Sequence, residues 1–146
     1  MIAALLLLLQ AAAPVTQSTA AQGSAAPATQ ISTTLPPQDW STLPALRIRG
    51  QATTLANTSA YVHGEVVAGR CARVVRTTQG WALTVDLAVL ITPDGRVRRV
   101  TPRAIDCPTV EQYAAGVILG ARDSIDVARE DADTWYRTSL TFTWGA

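Results

Sequence analysis

The stretch Trp81-Ala82-Leu83-Thr84-Val85-Asp86-Leu87-Ala88-Val89-Leu90-Ile91-Thr92-Pro93-Asp94-Gly95 decides the fold. Trp81, Leu83, Val85, Leu87, Val89 and Ile91 alternate with Ala82, Thr84, Asp86, Ala88 and Leu90, the two-residue period of a strand whose side chains point to opposite faces. One face is continuously apolar. The other begins small and polar, as where a sheet face meets water. Thr92-Pro93-Asp94-Gly95 then has hairpin chemistry, because Pro presets φ at a turn's second position and Gly supplies a positive φ. A second strand over residues 96–103 follows. Val97 and Val100 lie three apart, which breaks the alternation, so a bulge or a ragged strand is expected there.

Downstream, Asp106-Cys107-Pro108 reads as a helix start, with Pro at the favoured first position. Val110, Tyr113, Ala114, Val117, Ile118 and Ala121 fall at i, i+3, i+4, i+7, i+8 and i+11, the stripe of an amphipathic helix. Gly116 and Gly120 on or beside that stripe cost helix propensity, and close approach to the sheet is the expected compensation. An acidic loop with Asp126, Glu130, Asp131 and Asp133 leads to a last strand, residues 135–144, with Tyr136, Leu140, Phe142 and Trp144 on one face. The helix carries the chain back to the far end, so this strand runs antiparallel to residues 81–91 and places them in the centre of the sheet. The fold class is therefore α+β: an antiparallel sheet of hairpin, helix and strand, with one helix packed on one face.

Upstream the signals thin out. Val62, Val66, Val67, Val74 and Val75 with two glycines read as one or two short strands within residues 61–75. Leu43, Leu46 and Ile48 follow Trp40, but Pro44 and Gly50 allow only a short helix or extended piece. Residues 22–39 are Ala, Thr, Ser, Gln and Pro with few large apolar side chains, the composition of a flexible tether. Leu5 to Leu9 and the small residues after them have the length of a signal-peptide core, so residues 1–21 read as a signal peptide or short N-terminal anchor, and residues 40–146 as the domain. Pro14 after Ala13 hinders cleavage at the Ala11-x-Ala13 site and leaves cleavage near Ala20 or Ala21, or an uncleaved anchor. Membrane association is expected only in the uncleaved case. The localisation implied is periplasmic or secreted, or inner-membrane anchored.

The chain has 146 residues and a formal charge of +1, with every basic residue Arg. That balance signals neither a nucleic-acid face nor an acidic tail. Cys71 and Cys107 are the only cysteines, and in an oxidising compartment such a pair reads as a disulfide. The reactive-thiol alternative at the helix start lacks a second Cys in Cys-x-x-Cys spacing. His63 is the sole histidine and has no paired cysteines for a metal site, and no Gly-x-Ser-x-Gly elbow presents a nucleophile. The acidic residues match neither a calcium loop nor an acid/base pair. No cofactor, metal or catalytic set is expected. Arg96, Arg98, Arg99 and Arg103 concentrate on the second hairpin strand, an edge of the sheet. Such charge guards an edge against unwanted pairing, or else marks where an anionic or strand-forming partner is received.

A strand ending in Pro93-Asp94-Gly95-Arg96-Val97, a second strand, an amphipathic helix and a closing Ser139-Leu140-Thr141-Phe142-Thr143-Trp144 resembles the C-terminal domain of TonB-like energy transducers. The resemblance covers residues 83–100, 110–121 and 139–144. It implies an envelope protein without enzymatic activity that binds a protein partner by its sheet edge, in transport or energy transduction. The alternative from the residues alone is a small secreted enzyme or inhibitor whose groups converge only in three dimensions.

Overall fold

The computed structural model describes residues 35–50 and 58–145. The signal or anchor segment at 1–21 and most of the tether at 22–39 lie outside them. In chain order the elements are β1 (Arg47–Ile48), α1 (Ser59–Val67), β2 (Val75–Thr77), β3 (Gly80–Ile91), β4 (Val97–Pro102), α2 (Pro108–Gly120), a 3-10 turn (Arg122–Ser124), β5 (Ile125–Asp126) and β6 (Thr134–Trp144).

β3 is the spine. It pairs along its whole length with antiparallel β6, from Trp81 opposite Trp144 to Ile91 opposite Thr134. Its other side is shared: β2 pairs with residues 80–82 and β4 with residues 87–91, both antiparallel. The turn forms as its chemistry demands, with Gly95 N–H donating to the Thr92 carbonyl at 2.8 Å and Gly95 at φ 80°. The irregular valine spacing is a bulge. Val97 faces Ile91 and Arg99 faces Leu90, so Arg98 is the extra residue, and Val97 and Val100 both remain packed against the core.

The alternation of β3 and β6 divides the sheet into two faces. Leu83, Val85, Leu87, Val89 and Ile91, with Tyr136, Leu140 and Phe142, form the main core, closed by Val110, Ala114 and Ile118 of α2 and Val62 of α1. The opposite face is polar at one end, where Thr84 and Asp86 are exposed. At the other end Ala88, Leu90 and Trp135 are buried beneath Trp40 and Leu43. The strap carrying those two residues is fixed to the outer edge of β6 by Leu46 N–H to the Arg137 carbonyl (2.7 Å) and Arg137 N–H to the Pro44 carbonyl (2.9 Å). Farther along, β1 and β5 make a separate two-stranded ribbon.

Two expectations are corrected. Residues 61–67 are helix, not strand, so two helices rather than one cover the core face. Val62 and Val66 lie four apart, on the side of α1 that meets the core, and the Tyr61 ring packs on Tyr113 of α2 at 4.3 Å between centroids. Packing against β6 and α2 overrides the strand preference of valine. Only β2 survives from the strands read there. Gly116 and Gly120 are exposed, and a Cβ at either would meet nothing within 4 Å, so they do not mediate a close approach. That role belongs to Gly80, at φ 132°, where a Cβ would stand 2.2 Å from the Trp144 carbonyl oxygen.

Candidate functional site

Cys71 and Cys107 are joined in a disulfide, with Cα atoms 5.0 Å apart. Both are buried. The bond ties the segment after α1 to the first turn of α2, and a second clasp lies beside it. Glu65, on the last turn of α1 and almost wholly buried, accepts two hydrogen bonds from Arg70 (2.8 and 2.7 Å) and one from the Thr109 hydroxyl of α2 (2.6 Å). The Arg70 bonds, then the Thr109 bond, hold its carboxyl at about 2 against an ordinary 4.5, although burial pushes the other way. Nothing in the local sequence announced this clasp, since its partners are 5 and 44 residues away. At the start of α2, Glu111 reaches back to accept from the Ile105 and Cys107 N–H groups at 2.8 and 3.1 Å, folding the chain ahead of the helix onto its first turn.

The four arginines of the second hairpin strand divide into separate settings. Arg96, beside the turn, pairs with Asp94 at 2.9 Å. The Asp94 carboxyl is lowered chiefly by the Thr92 hydroxyl and, more weakly, by Arg96. Arg98, in the bulge, pairs with Asp133 of the acidic loop. Arg99 lies opposite Leu90 on the outer face of the sheet, and Arg103 follows β4 opposite Asp86. β4 is an edge, because no strand among the described residues pairs with its outer side. Arg103 N–H donates inward to the Asp86 carbonyl at 2.8 Å. By the alternation of an antiparallel ladder, Thr101 and Arg99 also bond inward, and Val100 and Pro102 turn their backbone groups outward. Pro102 has no N–H to offer there, which is why it is tolerated in the strand.

On the outer face, row by row, the hydroxyls of Thr84 and Thr141 meet at 2.9 Å and Ser139 donates to Asp86 at 2.6 Å. Past them lies a shallow cavity of about 170 Å³, lined by Trp40, Ser41, Asp86, Arg103, Arg137, Thr138 and Ser139. The Arg103 guanidinium lies over the Trp40 ring, 4.3 Å from its centroid. Asp39, beside this strap, has its carboxyl lowered chiefly by hydrogen bonding to Ser41, with a lesser contribution from Arg103.

His63 stacks on Trp144 with centroids 5.4 Å apart, at the rim of an apolar groove that also includes Val66, Val67, Val74 and Trp81. Among the described residues it makes no hydrogen bond to a carboxylate or hydroxyl. Glu130 and Asp131 are exposed, and no group of three His, Cys, Asp or Glu side chains among the described residues is placed to hold a metal ion. Trp135, buried under the strap, keeps an indole N–H without a partner among the described residues. Comparison of the chain with protein-family models, curated proteins and solved structures finds no match.

Proposed function

We propose that the chain is a non-enzymatic, exported interaction module of TonB C-terminal-like type. In this reading it receives an extended segment of an envelope protein at the outer edge of β4, in transport or energy transduction. The observation that carries the reading is that edge. Val100 turns its N–H and carbonyl outward beside the core, with Arg98 in the bulge on one side of it and Arg99 on the outer face beside it. An added strand would gain backbone hydrogen bonds from β4 and specificity from the side chains at alternate positions. The bulge at Arg98 and the missing N–H of Pro102 shorten the ladder the edge can offer, so charge must supply much of the recognition. Arg99, which pairs with no carboxylate among the described residues, favours an acidic residue in the partner segment.

The disulfide supports export, because such a bond persists in an oxidising compartment. The arrangement of hairpin, helix and closing strand fits the resemblance carried by residues 83–100, 110–121 and 139–144. Affinity capture from the envelope of the producing cells, with wild type and with Arg98→Gln/Arg99→Glu as baits of equal melting temperature, tests the reading. Wild type should retain a partner that the variant loses. Equal recovery by both baits, or none by wild type, would overturn it.

A further inference from the structure

We propose that the cavity on the outer face of the sheet, between Arg103 and Arg137, is a subsite for a single carboxylate. The strand register builds it. Arg103, just past the end of β4, forms one row with Asp86 of β3 and Ser139 of β6, and Arg137 stands in the next row, opposite Ala88. The strap at Trp40 and Ser41 bounds the space on one side, a shallow cavity of about 170 Å³. That is room for a carboxylate and the atoms next to it, since a cavity of about 10–15 Å³ already holds one water.

The donors are in place and largely unspent. The Arg103 guanidinium rests on the Trp40 ring, and its nearest carboxylate contact, Asp86 at 3.9 Å from Nε, is too long for a hydrogen bond. No other hydrogen bond to its guanidinium occurs among the described residues. Arg137 uses Nε on the Leu43 carbonyl at 3.0 Å, which fixes the plane of the fork and leaves its two terminal nitrogens without a partner among the described residues. Stacked and anchored guanidiniums lose little freedom on binding, and each can meet a carboxylate with two parallel hydrogen bonds.

The charge of the wall selects the ligand. Two guanidiniums face the one carboxylate lining the cavity, Asp86, whose Oδ1 is occupied by the Ser139 hydroxyl. With Asp86 in the wall and Asp39 beside the strap near Arg103, the surplus positive charge is at most one, which suits a monoanionic carboxylate better than a dianionic phosphate. Trp40 adds an apolar wall for the carbon that bears the carboxylate. A free small acid and a peptide C-terminus share this chemistry, and the two sources are separated below. The subsite lies on the face of the sheet, not along the outer edge of β4, and it stands or falls apart from the edge reading.

The test is a titration of the full chain with N-acetylglycine at constant ionic strength, followed by amide and indole NMR signals. N-acetylglycinamide, inorganic phosphate and a tripeptide with a free or amidated C-terminus serve as the other arms. Expected is a saturable shift centred on Trp40, Asp86, Arg103 and Arg137, absent with the glycinamide and weaker with phosphate. The two tripeptides then separate the sources: tighter binding of the free-terminus tripeptide than of N-acetylglycine assigns the site to peptide C-termini, and equal or weaker binding to small acids. Arg103→Gln should weaken binding at least about fivefold, from loss of one charge-assisted fork. Asp86→Asn, which keeps an acceptor for Ser139, should tighten it. Arg137→Gln would also remove an anchor of the strap, so the test rests on Arg103→Gln and Asp86→Asn. A shift that never saturates, equal shifts with glycinamide, or weaker binding by Asp86→Asn would overturn the proposal.

Discussion

Removing the Cys71–Cys107 bond should cost this domain a large part of its stability. The bond closes a loop of 36 residues, for which the chain-entropy relation gives about 4 kcal/mol at 25 °C. Replacing both cysteines by alanine avoids burying new hydroxyls but leaves a void, since Cys107 is fully buried and Cys71 nearly so. The clasp of Glu65 with Arg70 and Thr109 stays in place and limits how far α1 can part from α2. Because about 1 kcal/mol corresponds to 4–8 °C in a domain near 100 residues, the melting temperature should fall by at least about 10 °C. Circular-dichroism melts of reduced wild type and of the double variant should both fall below the oxidised protein, the double variant at or below the reduced one because of its void. A fall under about 3 °C, or two labelled thiols in the native exported protein, would refute the reasoning.

Three further expectations follow from single side chains. The carboxyl of Glu65 is held at about 2, below its ordinary 4.5, so its contribution is present above about pH 4.5 and lost as pH falls toward 2; Glu65→Gln should flatten the acid side of the melting-temperature profile, and profiles that stay parallel would contradict this. Gly80→Ala should destabilise by about 2 kcal/mol or more, because of the positive φ and the Trp144 carbonyl at 2.2 Å from the new Cβ; denaturant melts unchanged from wild type would show that β6 shifts without cost. Phe142→Ala, at a fully buried position under Tyr113, should cost about 3–5 kcal/mol, and urea unfolding with a loss below about 1 kcal/mol would place the core elsewhere.

What could be read from the chain was whatever its periodicity makes local. The two-residue alternation of residues 81–91 and 135–144, the Thr92–Gly95 turn and the stripe from Val110 to Ile118 each carry their own signal, and β3, β6 and α2 stand where it points. The Val97–Val100 spacing showed that the alternation breaks there, and the register decides for a bulge over a ragged strand. α1 was hidden because its valines suit a strand as well as a helix, and its helical face is decided by Tyr113 and β6, far away in sequence. The arginine cluster was visible as a charge run on β4. Its separation into an edge pair, Arg96 and Arg98 with their carboxylates, and a face pair, Arg99 and Arg103, needed the register. The cavity beside Trp40 was not visible at all, since its walls come from the strap, β3, β4 and β6.

The central claim is that β4 is the receiving edge. A photo-reactive residue placed at Arg98, exposed in the bulge, and another at Gln112, exposed on α2, test it most directly when the protein is irradiated in the envelope of the cells that make it. The account predicts a covalent adduct from position 98 and none from position 112. Equal adducts from both positions, or an adduct from position 112 alone, would contradict it.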